Sequence, residues 1–404
     1  MSLLPLTKTN TSDDEADVCA AIAEASAART PVYAIGGGTS LSFGCLPSEA
    51  GLGVRTTSLA KLIDYPARDM TITVQAGMTY AELSRLLAQE NQRLPIDPPQ
   101  AEQATIGGIL ATNTSGPRRY GCGTLRDYLI GLSAVDGRGT LFHAGGRVVK
   151  NVAGYDFCRL LIGSLGSLAV VTQATIKVIP IPERSLMLAC ALRSANEMET
   201  MLADLVASPI MPSAVQVLCG KSVQKVFADR WGDVRAVLAV GLEGTQAEVE
   251  WMRTSLESRW GQKRLAIERV ENERGEAVWR HLSEFPAADD PALVLKAVLM
   301  PSRVADFCDL VHSLAPEAEL LADGRGHVFV KFLAPLDDAA GLLIRHLHPA
   351  AIQLGGRLAV VHNAEPQGWT RQMIWGGRTE ADDFVDAIRR QFDPHNILNP
   401  GRWG

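Results

Sequence analysis

A run of three glycines after a strand-like segment is the part of the sequence most suited to binding chemistry. Residues 36–38 follow the apolar segment 32–35 and precede Thr39 and Ser40. Because glycine has no side chain, the N–H groups of such a loop can converge on one anion, for example a diphosphate. No Gly-Lys-Ser/Thr follows, and the spacing is not G-x-G-x-x-G, so neither a Walker loop nor a dinucleotide fingerprint is present. On this loop alone, a phosphate site and a plain tight turn are equally favoured.

Three further segments combine glycine with small polar residues. Residues 103–128 contain glycines at 107, 108, 116, 121 and 123, and residues 147–176 contain glycines at 154, 163 and 166. The tail 392–401 ends in an Asn-Pro-Gly corner. Such segments present many backbone donors and little side-chain bulk, which lets a flat ligand approach closely. Together they favour a ligand site over an isolated turn.

The cysteines and histidines are a weaker signal. The seven cysteines contain no C-x-x-C pair, which argues against a disulfide framework, a zinc ribbon or an iron–sulfur site within this chain. His346 and His348 precede a proline, and His362 lies near Glu365. A metal would need three such ligands to converge. We therefore interpret these histidines as surface or capping residues and predict no metal.

Composition and charge exclude several classes of protein. The net charge of −6 and the absence of a basic stripe argue against a nucleic-acid partner. No apolar run reaches the ~20 residues of a membrane helix, and the N-terminal segment does not resemble a signal peptide. With scattered, unpaired cysteines, these features lead us to expect a cytoplasmic protein, compatible with peripheral association at the inner face of the membrane.

The pattern of strands and helices predicts two domains and a tail. Residues 1–184 read as a two-lobed domain, with a mixed β/α lobe at 1–93 and a glycine-rich, antiparallel lobe at 94–184. In residues 185–388 strands and helices alternate, which is typical of ferredoxin-like units that form one antiparallel sheet with helices on one face. Residues 389–404 form the tail. The predicted fold class is α+β.

The glycine segments, in this order, resemble the PCMH-type FAD-binding domain shared by vanillyl-alcohol oxidase, D-lactate dehydrogenase and glycolate oxidase. Segment 151–180 is most similar to the FAD-binding subunits of bacterial glycolate oxidases. The matching positions are residues 36–39, 104–108, Arg118, 120–121, 150–151, 154–156, 163–168, 392–394 and 399–401. The resemblance implies the same two-lobed fold, a cap domain, and FAD bound between the lobes.

The resemblance also implies which residues contact FAD. The loop after the first strand would bind the pyrophosphate through its N–H groups, and Asn399 would approach the isoalloxazine. Relatives with covalent flavin have a histidine in this loop, where Thr39 and Ser40 stand here, so non-covalent FAD is expected. The complete predicted set is Ile35, Gly36, Gly37, Gly38, Thr39, Ser40, Pro99, Thr105, Ile106, Gly107, Gly108, Thr112, Ser115, Tyr120, Gly121, Lys150, Asn151, Gly166, Val170, Val171 and Asn399.

The cap departs from the catalytic members of the family. Those members have a Gly-Asp-Gly-Asn-x-His and a Glu-His-Gly segment, which hold a metal and accept the substrate proton. Here residues 321–331 keep only two glycines and His327, and no Glu-His-Gly occurs. We therefore predict no independent substrate oxidation and assign no catalytic residue. His327, Arg325, Arg378 and Arg357 are candidates to meet a carboxylate, with surface salt bridges as the alternative; Cys122 is interpreted as a small buried residue.

The resemblance and its departures lead to one function and two alternatives. The expected function is the FAD-binding subunit of a glycolate (2-hydroxy acid) oxidase complex, beside a homologous catalytic flavin subunit and an iron–sulfur subunit. The first alternative is a self-sufficient FAD-dependent 2-hydroxy-acid dehydrogenase with a divergent site. The second is a scaffold that has lost FAD, which the intact glycine segments disfavour.

Overall fold

The N-terminal lobe is a three-stranded parallel sheet covered by one helix. The computed structural model describes residues 3–146, 155–231 and 234–404. Strands β1 (Leu6–Thr11) and β2 (Val32–Ile35) both pair in parallel with β3 (Gly51–Arg55). Helix α1 (Glu15–Ala28) joins β1 to β2 and packs its buried residues against the sheet. Because β2 ends at Ile35, the glycine loop leaves the carboxyl edge of a parallel sheet, where ligands commonly bind.

The second lobe is a five-stranded antiparallel sheet with the strand order β4-β5-β9-β7-β8. A short pair, β6 with β10, closes one side. The elements in chain order are β4 (Leu62–Asp64), β5 (Thr71–Gln75), α2 (Tyr80–Ala88), β6 (Gln92–Arg93), α3 (Ile106–Thr112), α4 (Arg119–Cys122), α5 (Leu125–Tyr128), β7 (Leu129–Asp136), β8 (Leu141–Gly145), α6 (Phe157–Leu161), β9 (Ala169–Lys177) and β10 (Ile179–Pro180). The lobe boundary expected at residue 93 differs from the structure, because β4 and β5 belong to this sheet through the pairing of β5 with β9.

The cap is one eight-stranded antiparallel sheet with the order β14-β11-β13-β12-β16-β17-β15-β18. Its elements are β11 (Arg184–Leu192), α7 (Ala195–Val206), β12 (Ala214–Cys219), α8 (Lys221–Trp231), β13 (Ala236–Gly244), α9 (Gln246–Gln262), β14 (Ile267–Val270), α10 (Asn272–Glu284), β15 (Leu293–Val298), α11 (Val304–Leu314), β16 (Glu319–Asp323), β17 (His327–Phe332), α12 (Ala339–Gly341), α13 (His348–Gln353), β18 (Arg357–Asn363) and α14 (Arg371–Trp375).

Helices cover both faces of the cap sheet, not one face as the pattern predicts. On one face, α7, α9 and α11 bury apolar residues against the strands. On the other face, α8 and α10 pack Phe227, Val278 and Leu282 against Met187 and neighbouring strand residues. Strands such as β11 are apolar on both faces, and each apolar face must be covered. The sheet therefore has helices on two faces and not on one.

The last helix and the tail return to the first lobe. Helix α15 (Glu380–Phe392) is followed by residues that lie beside β2, where Leu398 forms a parallel β-bridge with Val32. Asn399 donates its N–H to the carbonyl of Val32 at 2.8 Å. The end of the chain therefore lies beside the start of the glycine loop. Among the described residues, none of the helices combines the length and apolar character needed to cross a bilayer.

Candidate functional site

The glycine loop and the second lobe enclose a narrow cleft of about 110 Å³. Small residues form more than half of its wall, which leaves main-chain atoms close to the space between the lobes. The lining residues include 34–41, Thr56, Thr105, Gly107, Gly108, Ala111, Thr112, 164–166, 169–171, Asn399 and Arg402. A cleft of this composition admits an extended ligand close to the backbone.

The N–H groups of the glycine loop have no acceptor among the described residues. In the described part of the chain, none of the N–H groups of residues 36–40 donates a hydrogen bond to a backbone or side-chain atom. Gly38 has a φ of +79°, which turns the chain in a conformation that favours glycine. A row of unpaired donors lining a cleft is the donor set that a pyrophosphate requires. The loop therefore fits the diphosphate of FAD.

The glycines are also required by the packing of the loop on the second lobe. A Cβ atom on Gly37 would lie 1.7 Å from the carbonyl oxygen of Gln103, and one on Gly36 would lie 2.3 Å from Thr105 Oγ1. Thr105 is the N-cap of α3, and its hydroxyl accepts the Gly108 N–H at 3.3 Å. The two glycines thus let the loop touch the start of α3, and any side chain would separate the two lobes.

The C-terminal tail supplies part of the wall of the cleft. Asn399 donates its side-chain amide to the carbonyl of Leu165 at 2.9 Å, beside Gly166. Arg402 is only 6% exposed and its guanidinium donates to the carbonyls of Phe43 and Cys45 at 3.4 and 3.5 Å. No carboxylate of the described residues lies within 4 Å of it. Burial lowers the pKa of Arg402 to about 10, so the side chain remains a cation at neutral pH.

A larger chamber of about 330 Å³ adjoins the cleft and reaches the cap. The two cavities share residues 38–41, Phe43, Gly108 and Thr112 of the two N-terminal lobes. The cap contributes polar side chains from five strands to the chamber: Gln216, Lys296, Asp323, His327 and His362. Arg119 at the start of α4 faces the same space. A ligand in the chamber would therefore lie next to one held in the cleft.

Asp323 organises the polar wall of the chamber. Its Oδ1 accepts the N–H groups of Arg325 and His327 at 2.8 and 2.9 Å. Its Oδ2 lies 3.4 Å from both His327 Nδ1 and Arg119 Nε. Burial alone would raise the pKa of Asp323, but the contact with His327 outweighs this effect and lowers the pKa. Burial lowers the pKa of His327, so at neutral pH the imidazole is uncharged and able to accept a proton.

The structure brings most of the predicted cofactor residues to the cavities. Pro99 and Ser115 line the chamber. The residues that line both cavities are Gly38, Thr39, Ser40, Gly108 and Thr112, and those that line the cleft alone are Ile35, Gly36, Gly37, Thr105, Gly107, Gly166, Val170, Val171 and Asn399. Lys150 and Asn151 lie outside the described residues.

Three predicted cofactor residues do not line either cavity. Ile106 is buried in the core of the second lobe. Tyr120 lies under the guanidinium of Arg325, 5.1 Å from the ring centre, and Gly121 donates its N–H to the carbonyl of Ser213 in the cap. Helix α4 is therefore a contact between domains, and the contact of Ile106, Tyr120 and Gly121 with FAD stays a prediction.

Among the candidates for a carboxylate, only His327 lines the chamber. Arg325 stacks on Tyr120 as described, and Arg357 is exposed near Thr379. Arg378 is exposed and pairs with Asp383 and Asp386, so it is not part of the site.

Cys122 and His348 have structural explanations. Burial raises the pKa of the Cys122 thiol, which keeps it protonated and unreactive at neutral pH. His348 is buried and contacts the carbonyl of Met373 at 2.9 Å through Nε2. The described residues contain no group of three or more histidine, cysteine, aspartate or glutamate side chains placed to hold a metal.

Sequence reasoning missed the cations of the chamber, Lys296 and Arg119, together with Asp323. Lys296 gave a usable signal, since it interrupts the otherwise apolar strand Leu293–Val298. Burial, with a smaller effect of the Arg119 charge, lowers the pKa of Lys296 to about 8. Arg119 and Asp323 gave no such signal, because their proximity depends on how the cap docks on α4.

Comparison with known proteins identifies the domain that forms the cleft. Residues 11–145 match the family model of the FAD binding domain. The chain contains an FAD-binding domain. The predicted cofactor, FAD, and the predicted PCMH-type fold class are therefore confirmed. The alkyldihydroxyacetonephosphate synthase structure has the same fold, with a TM-score of 0.70 at 17% identity, over 97% of this chain and 75% of that one.

Relatives of the FAD-binding chain extend over the cap as well. Glycolate oxidase subunit GlcD of Bacillus subtilis is 27% identical over 93% of this chain and 84% of its own length. A D-lactate dehydrogenase of Archaeoglobus fulgidus is 28% identical over 92% of this chain and 85% of its own length. Glycolate oxidase subunit GlcE of Escherichia coli is 35% identical over 39% of this chain and 44% of its own length. The expected resemblance to glycolate oxidase subunits is confirmed.

Proposed function

We propose that this chain is the FAD-binding subunit of a heteromeric oxidase or dehydrogenase of small 2-hydroxy acids such as glycolate. The observation that carries the proposal is the continuity between a cleft of unpaired N–H donors and a polar chamber on the cap. A flavin held in the first would face a substrate held in the second. Similarity to glycolate oxidase subunits and to D-lactate dehydrogenase supports this class of substrate.

In this proposal the cleft binds FAD non-covalently. The N–H groups of residues 36–40 bind the pyrophosphate, and the Arg402 cation lines the same cleft. Thr105, Gly107 and Gly108 form one wall, and Gly166 with Asn399 forms the other. When bound, FAD supplies the acceptor for two electrons. The protein contributes orientation, main-chain donors and exclusion of water.

The proposed partners are a homologous catalytic flavin subunit and an iron–sulfur subunit. Two of the similar proteins are themselves subunits of glycolate oxidases, which supports an assembly. An iron–sulfur subunit would carry electrons away from the flavins. We expect the assembly in the cytoplasm, which is compatible with peripheral association at the inner face of the membrane.

A self-sufficient dehydrogenase is the second candidate, and the chamber favours it. An uncharged His327 oriented by Asp323 can accept the hydroxyl proton of a 2-hydroxy acid, and Arg119 lies close to both. The D-lactate dehydrogenase similar to this chain matches over nearly its whole length. A scaffold without FAD is disfavoured, because the donor set of the glycine loop is complete.

Reconstitution distinguishes the two candidates. The FAD-loaded chain is assayed for glycolate and D-lactate oxidation with a dye as electron acceptor, alone and with the two partner subunits. The proposal predicts turnover that requires the partners and that falls when FAD is removed from this chain. Full turnover by the chain alone would establish the second candidate instead.

A further inference from the structure

The chamber contains a partly buried lysine, Lys296, that has no counter-ion among the described residues. Lys296 lies on β15, where it pairs with Phe329 of β17 and Ala359 of β18, neither of which is charged. Among the described residues no carboxylate lies within 4 Å of its ammonium group, whose nearest aromatic contact is the Phe329 ring at 5.6 Å. Burying an ammonium group without a partner is costly. Lys296 is therefore a group that an anion entering the chamber would stabilise.

A second lysine of the same sheet shows the usual arrangement. Lys331 on β17 is fully buried, and its ammonium group lies 2.9 Å from Glu319 and 3.1 Å from Asp289. Its neighbours neutralise it, so it needs no ligand. Both lysines lie on central strands of the cap, but only Lys296 faces a cavity. The contrast indicates a binding role for Lys296, since the sheet accommodates a purely structural lysine with carboxylates.

Asp323, the carboxylate whose charge acts on Lys296, is already engaged by other groups. Asp323 accepts two backbone N–H groups with one oxygen and contacts Arg119 and His327 with the other. Counting Lys296, Arg119 and Asp323 with a neutral His327, the inner wall has one unit of excess positive charge. Asp290 lines the outer part of the chamber and is exposed, and His362 is held neutral by burial. This charge balance suits a monoanion better than a dianion.

From these contacts, and resting on the proposed function, we propose that the chamber is a carboxylate site in which Lys296, assisted by Arg119, binds a small 2-hydroxy monocarboxylate. The carboxylate lies against the ammonium group, and the hydroxyl end faces His327. A lysine thus supplies the cationic charge at this wall of the chamber. Its binding strength follows the charge of Lys296, so affinity falls as the pH rises through about 8.

The test uses a ligand that binds without being oxidised. 2-Hydroxy-2-methylpropanoate has no hydrogen on its α-carbon, so it reports binding alone. Its affinity for the full FAD-loaded chain is measured by calorimetry, with the visible flavin spectrum as a second readout. Its uncharged amide tests the role of charge, and the dianion 2-hydroxy-2-methylbutanedioate tests the preference for a monoanion. We expect the acid to bind at least tenfold more tightly than either.

Three variants assign the binding to Lys296. Lys296→Met keeps the length of the side chain and removes the charge, so affinity for the acid should fall at least tenfold. Lys296→Arg keeps a charge that does not titrate, so binding should persist and lose its dependence on pH near 8. Lys263→Met, at an exposed position, is the matched control and should behave as the wild type. Thermal unfolding of each variant shows that it is folded.

The outcomes separate the inference from the proposed function. A chain that has a flavin band but binds the acid no better than its amide overturns the carboxylate site and leaves the FAD function intact. Equal affinity of the wild type and Lys296→Met also overturns the assignment. A chain without a flavin band contradicts the proposed function, while calorimetry still reports on the chamber. Loss of affinity in Lys296→Met together with retention in Lys296→Arg supports the site.

Discussion

At the scale of single residues, the glycine loop is constrained by its neighbours as much as by its ligand. Gly36 and Gly37 are pressed against the start of α3, and the N–H groups on the loop have no acceptor in the described protein. The same residues thus join the two lobes and present donors to the cleft. A side chain at either glycine would disturb both roles at once.

Gly37→Ala should weaken FAD binding at least tenfold. The new Cβ would meet a main-chain carbonyl at 1.7 Å, which can be relieved only by moving the loop, at a cost of about 1–3 kcal/mol. Fluorescence titration with FAD measures the affinity. Gly377→Ala is the control, because Gly377 is exposed and a Cβ there has no neighbour within 4 Å. Equal losses in both variants would contradict this explanation.

Unfolding of the protein should release FAD, because no covalent bond holds it. The glycine loop has Thr39 and Ser40 where a histidine would be needed for attachment, and burial keeps the Cys122 thiol protonated. After acid precipitation, the flavin should appear in the supernatant by absorbance. Flavin that stays with the precipitate would show a covalent bond and contradict the prediction.

Some of the site could be predicted from single residues and some could not. Glycine segments are informative because close backbone packing and φ values such as that of Gly38 restrict the residue type. Lys296 was detectable as a charge in an apolar strand. Asp323 and His327 lie in one hairpin of the cap, but Arg119 comes from a distant segment, and its contact with Asp323 arises only when the cap sheet docks on α4. No local pattern encodes that docking.

At the scale of elements, the C-terminal tail is a structural part of the cleft. Leu398 bridges β2, Asn399 contacts the carbonyl of Leu165, and Trp403 donates its indole N–H to Ser167 at 3.2 Å. Trp403 also stacks on Trp375 with ring centres 4.6 Å apart. The tail therefore links the first lobe, the second lobe and the cap.

Asn399→Ala should lower the affinity for FAD about tenfold, because the Leu165 carbonyl loses its donor and the wall beside Gly166 loosens. Asn396→Ala is a matched control: both residues have a positive φ, 43° at Asn399 and 51° at Asn396, but Asn396 is exposed. The backbone strain introduced by alanine is thus similar in the two variants. Equal effects on FAD affinity would assign the loss to backbone strain and not to the contact.

Element positions were partly predictable. The two-lobed domain, the antiparallel cap and the returning tail follow from strand patterns and the resemblance. The place of β5 was not predictable, because a buried strand of five residues does not reveal whether its partner lies before or after it in the chain. Likewise, the helices on the second face of the cap became evident only from the pairing of strands that are apolar on both faces.

At the scale of the whole molecule, a buried ion network joins the FAD-binding domain to the cap. Arg93 and Arg118 of the first domain both pair with Glu243 on β13 at 2.8 Å, and Asp97 holds Arg118 at 2.6 Å. The Arg118 guanidinium also lies 4.1 Å from the ring centre of Trp279. This network fixes the position of the chamber wall relative to the cleft.

Glu243→Gln should lower the free energy of unfolding by about 3 kcal/mol at pH 7, as expected for breaking a buried ion pair. Burial alone would raise the pKa of Glu243, but the hydrogen bonds from Arg93 and Arg118 lower this pKa to about 2. The contribution of Glu243 to the free energy of unfolding is therefore present above its pKa in the unfolded chain, near 4.5, and is lost as the pH falls toward 2. Denaturant unfolding at several pH values measures it.

The exposed Glu276 provides the comparison for this network. Glu276→Gln should leave the free energy of unfolding nearly unchanged at pH 7. A difference between Glu243→Gln and the wild type that does not shrink with falling pH would exclude the ion network as the cause of the destabilisation.

The most direct test of the proposed function is the visible spectrum of the FAD-loaded chain with glycolate under anaerobic conditions. We predict a flavin band that glycolate perturbs but does not bleach until the partner subunits are added, after which the band loses its absorbance. Bleaching by the chain alone would contradict the dependence on partners and show that the chamber completes the oxidation by itself.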